Sequence, residues 1–65
     1  MQYYVVYVEN DGTQHWSEPL SQDDAIRFAK VHEKNVYIGK KIDGFRFLID
    51  PHTWDETIFI GESPP

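Results

Sequence analysis

The segment YYVVYV, residues 3–8, constrains the fold more than any other stretch, because it is apolar or aromatic at every position. β-Branched and aromatic side chains favour a pleated surface over a helix. In a strand, successive side chains point to opposite faces, so the segment predicts a strand inside a sheet with both faces in need of cover. Tyr3, Val5 and Tyr7 share one face; Tyr4, Val6 and Val8 share the other. Periodicity alone does not say which set meets the core. A second copy packing sheet to sheet would cover the remaining face of a chain of 65 residues.

The rest of the chain supplies partners for that strand. NDG, residues 10–12, offers residues that tolerate positive φ and predicts a hairpin turn into a second strand from about Thr13 to Trp16. SEPLSQDDAIRFAKVHEKN then predicts the helix. Ser21 is placed to cap its first turn, with Asp24 three residues on, and Asn35 to stop it in the left-handed region. At 100° per residue Ala25, Ile26, Phe28, Ala29 and His32 fall in one apolar arc, and Asp23 and Arg27 are spaced to pair as i, i+4. VYIGKKIDGFRFLID predicts a second hairpin turning at Asp43 and Gly44. Its register sets Ile42 opposite Phe45, Lys40 opposite Phe47 and Ile38 opposite Ile49. Val36, Ile38, Ile42, Phe45, Phe47 and Ile49 then form a core face, with Lys40 its misfit. Tyr37, Gly39, Lys41, Arg46, Leu48 and Asp50 form a mixed, cationic outer face. TIFI, residues 57–60, predicts a last short strand. The expected fold is α+β: an antiparallel sheet of four to five strands with one helix on one face, in the order ββαβββ.

Residues 1–65 make a single domain, since a second would be too small to bury a core. An ordered core over about residues 2–61 is expected, with a flexible tail at 62–65 ending in Pro64 and Pro65. The chain has no cysteine, so disulfides and thiolate metal sites are excluded. No apolar run approaches the roughly 18 residues of a membrane span, and the N-terminus lacks the order of a signal peptide. The expectation is a cytoplasmic protein.

Charge is segregated. Five acids and no lysine or arginine lie in residues 1–24, all six basic residues lie between Arg27 and Arg46, and the tail is acidic again, for a net charge of −5. Such blocks create local fields that steer partners.

Catalysis is not expected. DPHTWDET, residues 50–57, places a histidine among carboxylates, but one histidine without ligand spacing does not make a metal site. It reads as a strand connection, ended by Pro51 and built of turn residues. Ser17, Ser21 and Ser63 lack the flanking glycines of a nucleophile elbow. No metal or cofactor is called for. His32, within the helix arc, reads as a partly buried, hydrogen-bonded histidine.

Two surfaces remain. Glu9, Asp11, Glu18, Asp23, Asp24, Asp55 and Glu56, with Trp16 and Trp54 as aromatic anchors, would present a basic partner protein with a surface resembling a row of phosphates if the loops converge. Tyr37, Lys41 and Arg46 form an alternative face for single-stranded nucleic acid, against which the acidic balance weighs.

In size, lack of cysteine, acidic balance and ββαβββ order, the chain resembles the small proteins encoded by phages and mobile elements, among them the anti-CRISPR proteins. The resemblance is one of type, covers the whole chain and carries no motif. It implies a stoichiometric inhibitor, acting in a host cytoplasm, that binds a nucleic-acid-binding effector complex and blocks its channel.

Overall fold

The computed structural model describes residues 2–31 and 34–59, the last four of these through their backbone alone. Five strands and one helix follow in the expected order: β1 (Tyr4–Val8), β2 (Gln14–Trp16), α1 (Gln22–Val31), β3 (Val36–Ile42), β4 (Phe45–Ile49) and β5 (Glu56–Phe59). All strands pair antiparallel in one sheet ordered β2-β1-β3-β4-β5, and the fold is α+β.

Local chemistry accounts for each boundary. The amide of Asp24 donates to Ser21 Oγ at 3.1 Å, the N-cap bond that satisfies a donor the helix leaves free. Asn35 adopts φ 64 past the helix end, and its carbonyl accepts from the Val8 amide at 2.8 Å, which ties the turn to β1. Asp43 and Gly44 both have positive φ, 52 and 83, as a two-residue type I′ turn demands. That turn sets the β3–β4 register expected from sequence, with Ile42 opposite Phe45, Lys40 opposite Phe47 and Ile38 opposite Ile49. Three local expectations are corrected. Arg27 lies 3.8 Å from Asp24, its i, i+3 neighbour, rather than pairing with Asp23. The second strand begins at Gln14, one residue late, because the Asp11 carboxylate and the Glu9 carbonyl hold Gly12 and Thr13 in the turn. The last strand begins at Glu56, while Ile60, like His32 and the tail from 61 on, falls outside the described residues.

The helix side of the sheet holds the main core. Ala25 and Ala29 are fully buried against Ile38 and Ile49, with Tyr3, Val5, Leu20, Ile26 and Val36 packed around them. Two alanines at i and i+4 allow the helix to lie close to the sheet, but they make its buried stripe narrow. Phe28, expected in that stripe, is 48 % exposed on its flank. Phe45, expected in the core face, is 43 % exposed. Phe45 pairs with Ile42 beside the β3–β4 turn, beyond Gly39 where the pairing of β3 with β1 ends, whereas Ile49 at the other end of β4 lies in the core with the helix alanines. Lys40 stays on this face with its ammonium 5.3 Å from the Phe47 ring centroid.

The opposite face has a small core of its own. Val6 is fully buried and Leu48 nearly so, although no helix lies above them. Trp16 provides the cover. Its indole lies diagonally across the sheet onto Gly39, so close that a Cβ built there would stand 2.5 Å from Trp16 Cζ3 and 2.6 Å from Val6 Cγ2. A glycine is required at this position for packing, with no left-handed backbone involved. Tyr4 meets the indole edge to face at 5.4 Å. Both faces of β1 are thus closed within one chain, and Val6 does not depend on a second copy for its burial.

Gly39→Ala is expected to lower stability by about 1–3 kcal/mol, the usual range for forcing a methyl group into a packed site. Denaturant unfolding checks this, and an unchanged midpoint would contradict the packing of Trp16 on Gly39.

Candidate functional site

Strand direction decides where the charged loops go. β1 ends at Val8, β3 begins opposite it at Val36, and β4 ends at Ile49 opposite Ile38. The β1–β2 turn and the β4–β5 loop therefore share one end of the sheet, bringing Glu9, Asp11, Trp54, Asp55 and the backbone position of Glu56 to that end. The two loops stand about 14 Å apart, three strand spacings. Glu18, Asp23 and Asp24 lie at the other end, where Leu20 bridges to Tyr3 and the helix begins. The seven acids expected to form one row are split between two ends, because the helix must run the length of the sheet before β3 can start. Trp16 stands apart from both groups, half-buried on the outer face.

The β4–β5 loop is built around Asp50. Its carboxylate accepts from the amides of His52 at 2.8 Å and Thr53 at 3.2 Å. Its carbonyl accepts from the Trp54 amide, and its own amide donates to the Asp55 carbonyl, each at 2.9 Å. Thr53 Oγ1 takes the Asp55 amide at 3.2 Å, and Pro51 is buried beneath. The backbone bond to His52, followed by that to Thr53, holds the Asp50 carboxyl below its ordinary pKa of 3.8. DPHTWDET is a strand connection, as its turn residues predict, and a tightly bonded one. Within it Trp54 sits at φ 64 with its side chain 41 % exposed. A bulky side chain in the left-handed region is strained backbone, and such strain persists only where surrounding bonds enforce it.

The β1–β2 end uses its acids locally. Asp11 Oδ1 accepts from the Thr13 amide at 2.9 Å, and this bond, with the Thr13 side chain, lowers the Asp11 pKa. Glu9 pairs with His15 across the hairpin, and His15 stacks on Tyr7. Of the serines weighed as nucleophiles, Ser17 Oγ accepts from the Val5 amide at 2.9 Å and Ser21 caps the helix. Both have structural partners.

The outer sheet face gathers the alternative set. Lys41 and Arg46 are directly paired across β3 and β4, and both reach the indole of Trp16, with Lys41 Nζ at 5.2 Å and Arg46 Cζ at 4.9 Å from the ring centroid. Lys41 Nζ is also 4.7 Å from the Tyr4 centroid. Tyr37 shares this face, opposite Val6, half-buried. Sequence reasoning placed Lys41, Arg46 and Tyr37 together but missed Tyr4 and assigned Trp16 elsewhere. The parity of YYVVYV carried the signal for Tyr4; only a diagonal side-chain path brings Trp16. The left-handed backbone of Trp54 was also missed, and only the Asp-Pro-x-Thr pattern, an Asx-turn signature, pointed toward it.

Among the described residues no group of three or more histidine, aspartate or glutamate side chains is placed to hold a metal ion, and no polar or charged residue is fully buried. Nor is any described helix long and apolar enough to cross a membrane. Comparison with family models, with curated proteins and with solved structures finds no match to this chain.

Two measurements follow from the loop. Its folded-state pKa being lowered, Asp50 contributes stability that is complete above the ordinary carboxylate pKa and is lost as pH falls through the lowered value. The His52 and Thr53 amide resonances are expected to titrate with a midpoint below 3.8, and a midpoint at or above it would contradict the bonds described. Trp54→Gly, which relieves the left-handed strain, is expected to be more stable than Trp54→Ala by about 1 kcal/mol in denaturant unfolding.

Proposed function

We propose that the chain is a non-enzymatic binding module that docks on a basic surface of a partner protein and occludes the nucleic acid held there, an inhibitor of the anti-CRISPR type working in a host cytoplasm. The observation that carries this reading is the β4–β5 loop. It presents a half-exposed tryptophan on strained, hydrogen-bonded backbone, with Asp55 exposed beside it and Glu56 next in the chain. A rigid aromatic side chain loses little freedom on binding, which is why such residues dominate interface energies. Adjacent carboxylates add the charge complementarity that selects a basic partner and speeds encounter with it. Glu9 and Asp11 stand at the same end of the sheet, about 14 Å away across three strand spacings. Glu18, Asp23 and Asp24 face away and are assigned to helix capping and solubility instead.

The test is capture of partners from a nuclease-treated cell extract, at low and at moderate salt, by the wild-type chain, Trp54→Ala and Asp55→Lys/Glu56→Lys. Wild type is expected to retain a basic nucleic-acid-binding protein that salt releases. An anchor of about 2 kcal/mol corresponds to a roughly 30-fold loss of affinity in Trp54→Ala. Equal retention by all three folded proteins would refute the assignment of this loop.

A further inference from the structure

β5 is the last strand in the order β2-β1-β3-β4-β5, and among the described residues nothing pairs with its outer side. Its start fixes which backbone groups face that way. The Trp54 amide donates to the Asp50 carbonyl and the Asp50 amide donates to the Asp55 carbonyl, so Trp54 and Asp55 together oppose Asp50. With Trp54 at φ 64, this is a G1 bulge in which tryptophan takes the place usual for glycine. Asp55 thus enters the ladder bonded to Asp50, and bonded pairs alternate along antiparallel strands. The register, from Ile49 opposite Glu56 to Arg46 opposite Phe59, then gives the Thr57 and Phe59 backbone to β4. The amides and carbonyls of Glu56 and Ile58 point outward, where a further strand would bond them. Native sheets blunt an edge with lysine, with proline or with a very short strand. The opposite edge, β2, is three residues long. β5 is longer, and its sequence ETIF holds neither lysine nor proline.

We propose that β5 receives an extended, basic segment of the partner protein as a further strand of the sheet, with Trp54 as the anchor at its start. The proposal rests on the reading of the Trp54 loop given above and adds how the partner is held. Charge selects the occupant. Residues 47–65 hold Asp50, Asp55, Glu56 and Glu62 and no lysine or arginine. A second copy would bring the same acids to the edge, and like charges on facing strands destabilise the pair. A basic segment meets the edge with opposite charge instead. Main-chain bonds to Glu56 and Ile58 supply affinity, and side chains at alternate positions of the added strand supply specificity. Ile58 registers with Phe47, on the helix side of the sheet, so apolar residues at every second position extend that layer while basic ones face away from it. Ile58 lies four residues past Trp54, about 13 Å at roughly 3.3 Å per residue, so a short extended segment spans both anchor and edge.

The test uses a labelled heptapeptide of alternating lysine and valine, and the full chain made by chemical synthesis with and without an N-methyl group on the Ile58 amide. That methyl group removes one outward donor and leaves the bonds to β4 in place. In the free chain the Glu56 and Ile58 amides are expected to exchange rapidly with solvent and those of Thr57 and Phe59 slowly; the peptide is expected to slow the first pair. N-methylation is expected to weaken peptide binding by about tenfold, and a heptapeptide of alternating glutamate and valine is expected not to bind. Amide spectra establish that each chain is folded. Trp54→Ala is expected to keep the peptide, which has no pocket for an indole, and to lose the partner captured from extract, so the edge and the anchor fail separately. Slow exchange at Ile58 in the free chain, equal peptide affinity or equal partner capture after N-methylation, equal binding of the glutamate peptide, or a dimer in sedimentation that the methyl group dissociates would overturn the proposal.

Discussion

Burial of β1 on both of its faces is the constraint on which the structure depends. One helix covers one face of a sheet, and a chain this short has no second helix to spare. The second face is closed by a single indole laid flat enough on Gly39 that no side chain can be accommodated there. Val6 and Leu48 are buried as a result, and the sheet acquires two thin hydrophobic layers in place of one thick one. Tyr4, Lys41 and Arg46 then pack around the indole, so an interaction that begins as hydrophobic cover ends by organising the polar chemistry of the outer face.

Because Trp16 is committed to this cover, the tryptophan available to a partner is Trp54. The two indoles of the chain occupy opposite situations. Trp16 bonds Gln14 Oε1 through its Nε1 at 2.9 Å and is half-buried against strands β1 and β3. Trp54 stands on a loop, with its backbone strained and its ring half in solvent. The loop tolerates the strain because four backbone hydrogen bonds close on Asp50, two through its carboxylate, one through its carbonyl and one through its amide.

Much of this was legible in the sequence. Ser21 with Asp24, Asn35, and the Asp43–Gly44 pair are short-range signals whose effect is settled within a turn of chain, and each took the conformation its chemistry predicts. The β3–β4 register followed, because a two-residue turn leaves only one. What sequence could not give depends on distance across the fold. Phe28 and Phe45 have the right periodicity for burial, but Phe28 flanks the narrow alanine stripe of the helix and Phe45 sits beside the β3–β4 turn, past the end of the β1–β3 pairing. The acids of the candidate row have the right chemistry, but the path of the helix places them at opposite ends. The path of the Trp16 side chain depends on an absent Cβ two strands away.

The contact of Trp16 with Gly39 closes the outer face, and proton NMR reports it directly. Ring-current shielding should move a Gly39 Hα resonance well upfield of other glycines, with nuclear Overhauser contacts from Trp16 Hζ3 to Gly39 Hα and to the Val6 methyl groups. Gly39 protons at ordinary shifts, with no contact to the indole, would mean that the outer face is open and that β1 must find its second cover elsewhere.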